Sequence, residues 1–190
     1  MKFLIIDNGT TMMDRFAYYF SAEEYDVIQK ESIENLNTDL YYAIILTGSL
    51  KHGVVEDTHL FEEEAKLVKE TKLPVLGICL GFELMIHSYG GELIDLPKRI
   101  RKIESLKYIK DPIFESIDEL VVSEAHRWLI KYLPPDFIPL AYSDTGVEVI
   151  KHVNKFMYGV QFHPESRLPK TNGYKIMQNF LKMAKINTQR

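Results

Sequence analysis

The chain has 190 residues, a formal net charge of −4 and a single cysteine, Cys79. Its acidic pI near 5.9 gives no electrostatic basis for nucleic-acid binding, and no apolar run approaches the roughly 18 residues of a membrane span. One cysteine cannot form an internal disulfide, so residues 1–190 read as one cytoplasmic domain in a reducing compartment, with neither nucleic acid nor membrane as partner.

Taken in order, the first half alternates strand and helix signals. Phe3 to Ile6 is an apolar strand stopped by the Asp7-Asn8-Gly9 loop, and the stretch before it is too short for a signal peptide. The sequence predicts a helix over Asp14 to Glu24, a strand over Tyr25 to Ile28, and a strand over Tyr42 to Leu46 that runs into Thr47-Gly48-Ser49. A charged helix follows, with Phe61, Ala65 and Val68 building one apolar face. Pro74 then opens a buried strand that ends in Gly77-Ile78-Cys79-Leu80-Gly81, and Leu80 to Tyr89 is helical in character. Ligand sites in such open sheets gather beyond the carboxyl ends of the strands. The loops at 7–9 and 47–49 should therefore share one rim with Cys79.

After Gly90-Gly91 the signals change to short strands over Leu106–Tyr108, Glu119–Val122, Ile138–Tyr142, Val147–His152 and Phe156–Phe162, partly antiparallel, with a closing helix over Lys170 to Met183. The fold class is thus α/β: three layers, a flavodoxin-like, mostly parallel sheet between helices, and extra short antiparallel strands in the second half. The basic run Lys98-Arg99-Ile100-Arg101-Lys102 reads as a solvated loop or strand edge.

Two stretches carry chemistry. Gly77-x-Cys79-x-Gly81 has the spacing of a nucleophile elbow, a tight strand-to-helix turn that lifts the nucleophile clear of the backbone. The alternative is a small buried cysteine in a strand. A thiol needs a base, and Tyr158 to Glu165 offers one: Pro164 holds His163 extended, and Glu165, two residues on, points to the same side. By itself His163-Pro164-Glu165 also fits a histidine satisfied at a strand end. With the elbow, Cys79, His163 and Glu165 form a candidate triad. His52, His59, His87 and His152 lack the spacing of a zinc site and read as surface or loop residues, so neither metal nor cofactor is predicted. There is also no phosphate-binding or dinucleotide fingerprint.

Together these residues resemble the class I (triad) glutamine amidotransferase domain, the type found in GMP synthetase and anthranilate synthase. The resemblance spans nearly the whole chain. It implies that Cys79 attacks the side-chain amide of glutamine to form a γ-glutamyl thioester, with His163, oriented by Glu165, as proton carrier. It also implies an oxyanion hole made by the backbone amides of Leu80 and Ser49, with Gly48 allowing the turn, and a wall at His126-Arg127-Trp128 for the amino-acid end of glutamine. Where the family has a substrate-binding glutamine, this chain has Glu83, which either binds an ammonium group or turns outward. Trp128 reads as a packing residue. Having no ATP-binding motif of its own, the chain calls for an ATP-dependent synthetase subunit to receive the ammonia. The alternatives are a stand-alone hydrolase of γ-glutamyl amines and a non-catalytic regulatory or binding subunit.

Overall fold

A computed structural model describes residues 1–34 and 36–187 of the chain. The strands are β1 (Lys2–Asp7), β2 (Tyr25–Gln29), β3 (Tyr41–Leu46), β4 (Val75–Ile78), β5 (Glu92–Asp95), β6 (Lys102–Tyr108), β7 (Leu120–Glu124), β8 (Trp128–Tyr132), β9 (Phe137–Tyr142), β10 (Val147–His152) and β11 (Met157–Val160). The α-helices are α1 (Glu62–Glu70), α2 (Leu80–Ser88) and α3 (Tyr174–Asn187). Nine strands form one sheet in the order β2-β1-β3-β4-β11-β10-β9-β6-β7. From β2 to β11 every pairing is parallel, and from β11 to β7 every pairing is antiparallel.

Alternation along the parallel strands divides the core in two. Phe3, Ile5, Ala43, Ile45, Leu76 and Ile78 face Phe16, Phe20 and the Ile176, Met177 and Phe180 stripe of α3. Leu4, Ile6, Ile44, Leu46 and Val75 face Val68 of α1 and Leu84 and Met85 of α2. The result is the predicted three-layer α/β arrangement: strands with two buried faces need a helix on each.

Four local expectations need correction. Asp14 to Glu24 is not one helix but two 3-10 turns, Met13–Tyr18 and Ala22–Glu24. Glu24 Oε2 accepts hydrogen bonds from the backbone N–H of Ser21 (3.0 Å) and from its hydroxyl (3.2 Å), so Ser21 starts a fresh turn and ends the first. The closing helix starts at Tyr174, not Lys170, whose φ of 68° is left-handed. A separate antiparallel ribbon of β5 and β8 was not predicted. His152 is buried rather than at the surface: its Nδ1 accepts from the backbone N–H groups of Asn154 and Lys155 at 3.0 and 3.1 Å, and its ring packs on Tyr89 and Phe137.

Candidate active site

Strands β1, β3 and β4 are neighbours and parallel, so the loops after Asp7, Leu46 and Ile78 do open on one rim. Cys79 occupies the turn between β4 and α2 with φ 52° and ψ −102°, a conformation that L-residues avoid unless the surroundings impose it. The surroundings here are two close approaches. A Cβ on Gly77 would lie 2.6 Å from the backbone of Gly81, and one on Gly81 would lie 2.6 Å from the Leu46 carbonyl oxygen. The start of α2 therefore presses directly on β3 and β4, and the bracketing glycines make that contact possible.

His163 lies just beyond β11, next to β4. Its Nδ1–H donates to Glu165 Oε1 at 2.8 Å, and both side chains are buried. A Cβ placed on Gly48 would lie 3.1 Å from His163 Cε1 and 3.8 Å from Cys79 Sγ, so thiol and imidazole flank the same glycine. Burial alone would lower the imidazole pKa, but Glu165 first and Cys79 second carry it well above its ordinary value. Burial pushes the Cys79 thiol up, His163 opposes this, and Glu83 and Glu165 add to the rise. Of the groups around the thiol, His163 is the one that favours its ionised form. The histidine segment is itself braced, since the Tyr19 hydroxyl donates to the Pro164 carbonyl at 2.8 Å and Arg15 Nη1 donates to Ser166 Oγ at 2.8 Å.

The 47–49 loop has its own support. The Asn8 N–H donates to Thr47 Oγ1 at 2.9 Å, while Asn8 Nδ2 donates to the Thr47 carbonyl at 3.2 Å and to Glu64 Oε1 at 3.0 Å. Glu64 sits on the apolar face of α1, and burial pushes its carboxyl up to about 7. Ser49 Oγ accepts from the N–H groups of Lys51 and His52, both at 3.2 Å, so the side chain staples the following turn. Leu80 opens α2, where the backbone amides of the first turn have no partner within the helix and are free to bind an anion.

The sequence model of the family described as "Glutamine amidotransferase class-I" matches residues 4–184. The chain belongs to the class-I glutamine amidotransferase family. It is 32% identical over 186 residues to a glutamine-hydrolyzing GMP synthase subunit of Pyrococcus furiosus, covering 95% of this chain and 97% of that one. With the glutamine-hydrolyzing GMP synthase of Thermosipho africanus it shares 34% identity over 177 residues, 89% of this chain but 32% of that longer protein. A crystal structure of a Thermoplasma acidophilum protein described as a GMP synthase subunit has the same fold, with a TM-score of 0.85 at 22% identity over 100% of this chain and 96% of that one. The chain is accordingly an enzyme, a glutamine amidotransferase.

A cleft of about 490 Å³ is lined by Ser49, Cys79, Leu80, Glu83, Arg99, His126, Arg127 and Trp128, among others. Glu83 turns inward, not outward: it is 3% exposed and its Oε1 accepts from Gln161 Nε2 at 3.0 Å. Burial pushes its carboxyl up to about 7. His126 is buried, and its Nδ1–H donates to the Trp128 carbonyl at 3.0 Å. Arg127 bridges Glu56 at 2.8 Å and Asp95 at 2.6 Å across the rim. Trp128 is mostly buried and lines the cleft, with the Arg127 guanidinium 5.7 Å from the centre of its ring. Four residues around the site escaped the reading from sequence, Arg15, Tyr19, Glu64 and Arg99, as did the bracing role of Asn8, whose loop was placed on the rim. The one visible hint was Glu64, a carboxylate falling among Phe61, Ala65 and Val68 on an apolar helix face. The basic run is the half-exposed loop leading into β6, as read, and from it Arg99 lines the cleft.

Proposed function

We propose that Cys79, His163 and Glu165 hydrolyse the side-chain amide of glutamine. His163 Nε2 takes the thiol proton as Sγ bonds to the amide carbon, and the negative oxygen that forms is held by the backbone N–H groups of Leu80 and Ser49. His163 then returns the proton to the nitrogen as the C–N bond breaks. This leaves a γ-glutamyl thioester and free ammonia. A water molecule, deprotonated by His163, adds to the thioester carbon. Glutamate departs and the thiol regains its proton. Glu165 holds the imidazole in the required tautomer and stabilises its cationic form.

The observation that carries this reading is the strained Cys79 at the helix start beside an imidazole that is hydrogen-bonded to a buried carboxylate. The names of the relatives support the next step, that ammonia passes to a separate synthetase subunit forming GMP; that this subunit is ATP-dependent we infer from the chain's own want of an ATP-binding motif. A glutamine-like alkylating agent tests the chemistry. Intact-mass analysis should find one adduct, located on Cys79 and suppressed by excess glutamine. Full glutaminase activity in a fully alkylated protein would overturn it.

Glu83 favours one second reading, a γ-glutamyl amine as substrate. A carboxylate four residues after the nucleophile and within its cleft offers an acceptor to an ammonium group. Partner-free turnover of γ-glutamyl amines with kcat/KM well above that for glutamine would decide for it.

A further inference from the structure

Behind the cleft wall lies a cluster that the thiol chemistry leaves unused. Glu124 ends β7, His126 follows it in the loop, and Glu148 lies on β10; they are 2%, 2% and 0% exposed. His126 Nε2 stands 3.6 Å from Glu124 Oε2 and 4.0 Å from Glu148 Oε2, and one donor atom from each residue falls within 4.8 Å of the others. Those separations exceed hydrogen-bonding distance. His126 Nε2, both oxygens of Glu124 and Glu148 Oε2 are all buried without a hydrogen-bond partner. Buried polar atoms are rarely left so, because each forfeits its interaction with water and gains nothing in return.

The second contacts of these residues sharpen the point. Donation from Nδ1 to the Trp128 carbonyl makes Nε2 the ring atom that faces the two carboxylates. The Ser143 hydroxyl donates to Glu148 Oε1 at 2.7 Å, which leaves Oε2 for something else. Lys102 of β6 pairs with Glu104 at 2.5 Å and approaches Glu124 only to 3.8 Å.

We propose that Glu124, His126 and Glu148 bind a divalent metal ion, with zinc the best match to one imidazole and two carboxylate donors. Bonds of about 2.0–2.2 Å to three such donors in a tetrahedral arrangement set them about 3.4 Å apart, so the cluster needs to contract only modestly around the ion. The ion ties the end of β7 to β10 and fixes the loop whose residues Ala125, His126 and Arg127 line the cleft. Its role is to position the substrate wall. Spacing among histidines and cysteines could not have revealed it, because two of the ligands are glutamates and one of those comes from a distant strand.

Cobalt(II) is a suitable probe, and a Cys79→Ala background removes the thiol as a competing ligand. In that background the protein should bind about one equivalent of Co2+ with a visible d–d spectrum, release it to Zn2+, and melt at higher temperature with the metal. Glu148→Gln and Glu124→Gln, each separately verified as folded by circular dichroism, should each weaken Co2+ binding by more than about tenfold. His59→Asn, well outside the cluster, should not. Substoichiometric binding, or unchanged binding in both glutamine variants, would overturn the proposal and leave protons as the cluster's counter-charge.

Discussion

At the scale of single residues, Glu83 and Glu165 act on the same thiol in different ways. Against the effect of burial, Glu165 raises the proton affinity of His163, first through its charge and then through the 2.8 Å hydrogen bond. Glu165→Gln should keep the fold and lower kcat by roughly 10²- to 10⁴-fold, the usual worth of a positioned proton carrier; a loss below threefold in a steady-state ammonia assay would contradict that role. Glu83 lies in the cleft, and burial places its ionisation at about 7. Below that pH it is neutral, and above it its negative charge opposes formation of the Cys79 thiolate. Glu83→Gln should therefore lower the thiol pKa and steepen the rise of iodoacetamide alkylation between pH 7 and 9. Superposable alkylation profiles for the two proteins would refute the electrostatic link.

Among the elements, the contact between α2 and the strands beneath it leaves almost no slack. A Gly81→Ala methyl group meets the Leu46 carbonyl oxygen at 2.6 Å, a backbone atom that cannot turn aside, so this change should cost at least about 3 kcal/mol or prevent folding. Gly90→Ala has open space but a φ of +84°, and should cost only about 1 kcal/mol. Urea unfolding of both variants checks the ranking, and an equal cost would contradict it. The support of the 47–49 loop carries a pH signature. The folded chain holds a proton on Glu64 up to about 7, whereas an unfolded glutamate releases it near 4.5. Stability contributed at this site is thus complete below pH 4.5, falls as pH rises to 7, and is level above. The loss is about 3 kcal/mol at most, and it should be absent from Glu64→Gln, so that the stability difference between the two proteins changes by about that amount across pH 4.5–7. Parallel stability curves for the two proteins across pH 4.5–7 would contradict this.

For the molecule as a whole, what the sequence displayed and what it hid follow from burial. Strands β1, β3 and β4 are packed on both faces and therefore read as unbroken apolar runs ending in loops, which is also why their shared rim was predictable. Leu93 to Asp95 and Leu129 to Tyr132 are half-exposed and short, so the β5–β8 ribbon carried no apolar signal. The Cys79 elbow and the histidine segment were visible because glycine and proline mark the backbone geometry they need. The bracing residues were not: Asn8, Arg15, Tyr19 and Glu64 act through tertiary hydrogen bonds to segments 39 to 151 positions away. His126 was legible as part of the cleft wall, while its neighbours in space, Glu124 and Glu148, gain meaning only from the folded chain.

Ammonia release from glutamine, measured with the purified synthetase partner present, tests the central claim most directly. Wild-type protein should release ammonia at a rate stimulated by the partner, and Cys79→Ala, folded and still binding that partner, should release none above background. A Cys79→Ala protein that released ammonia at the wild-type rate would contradict the account.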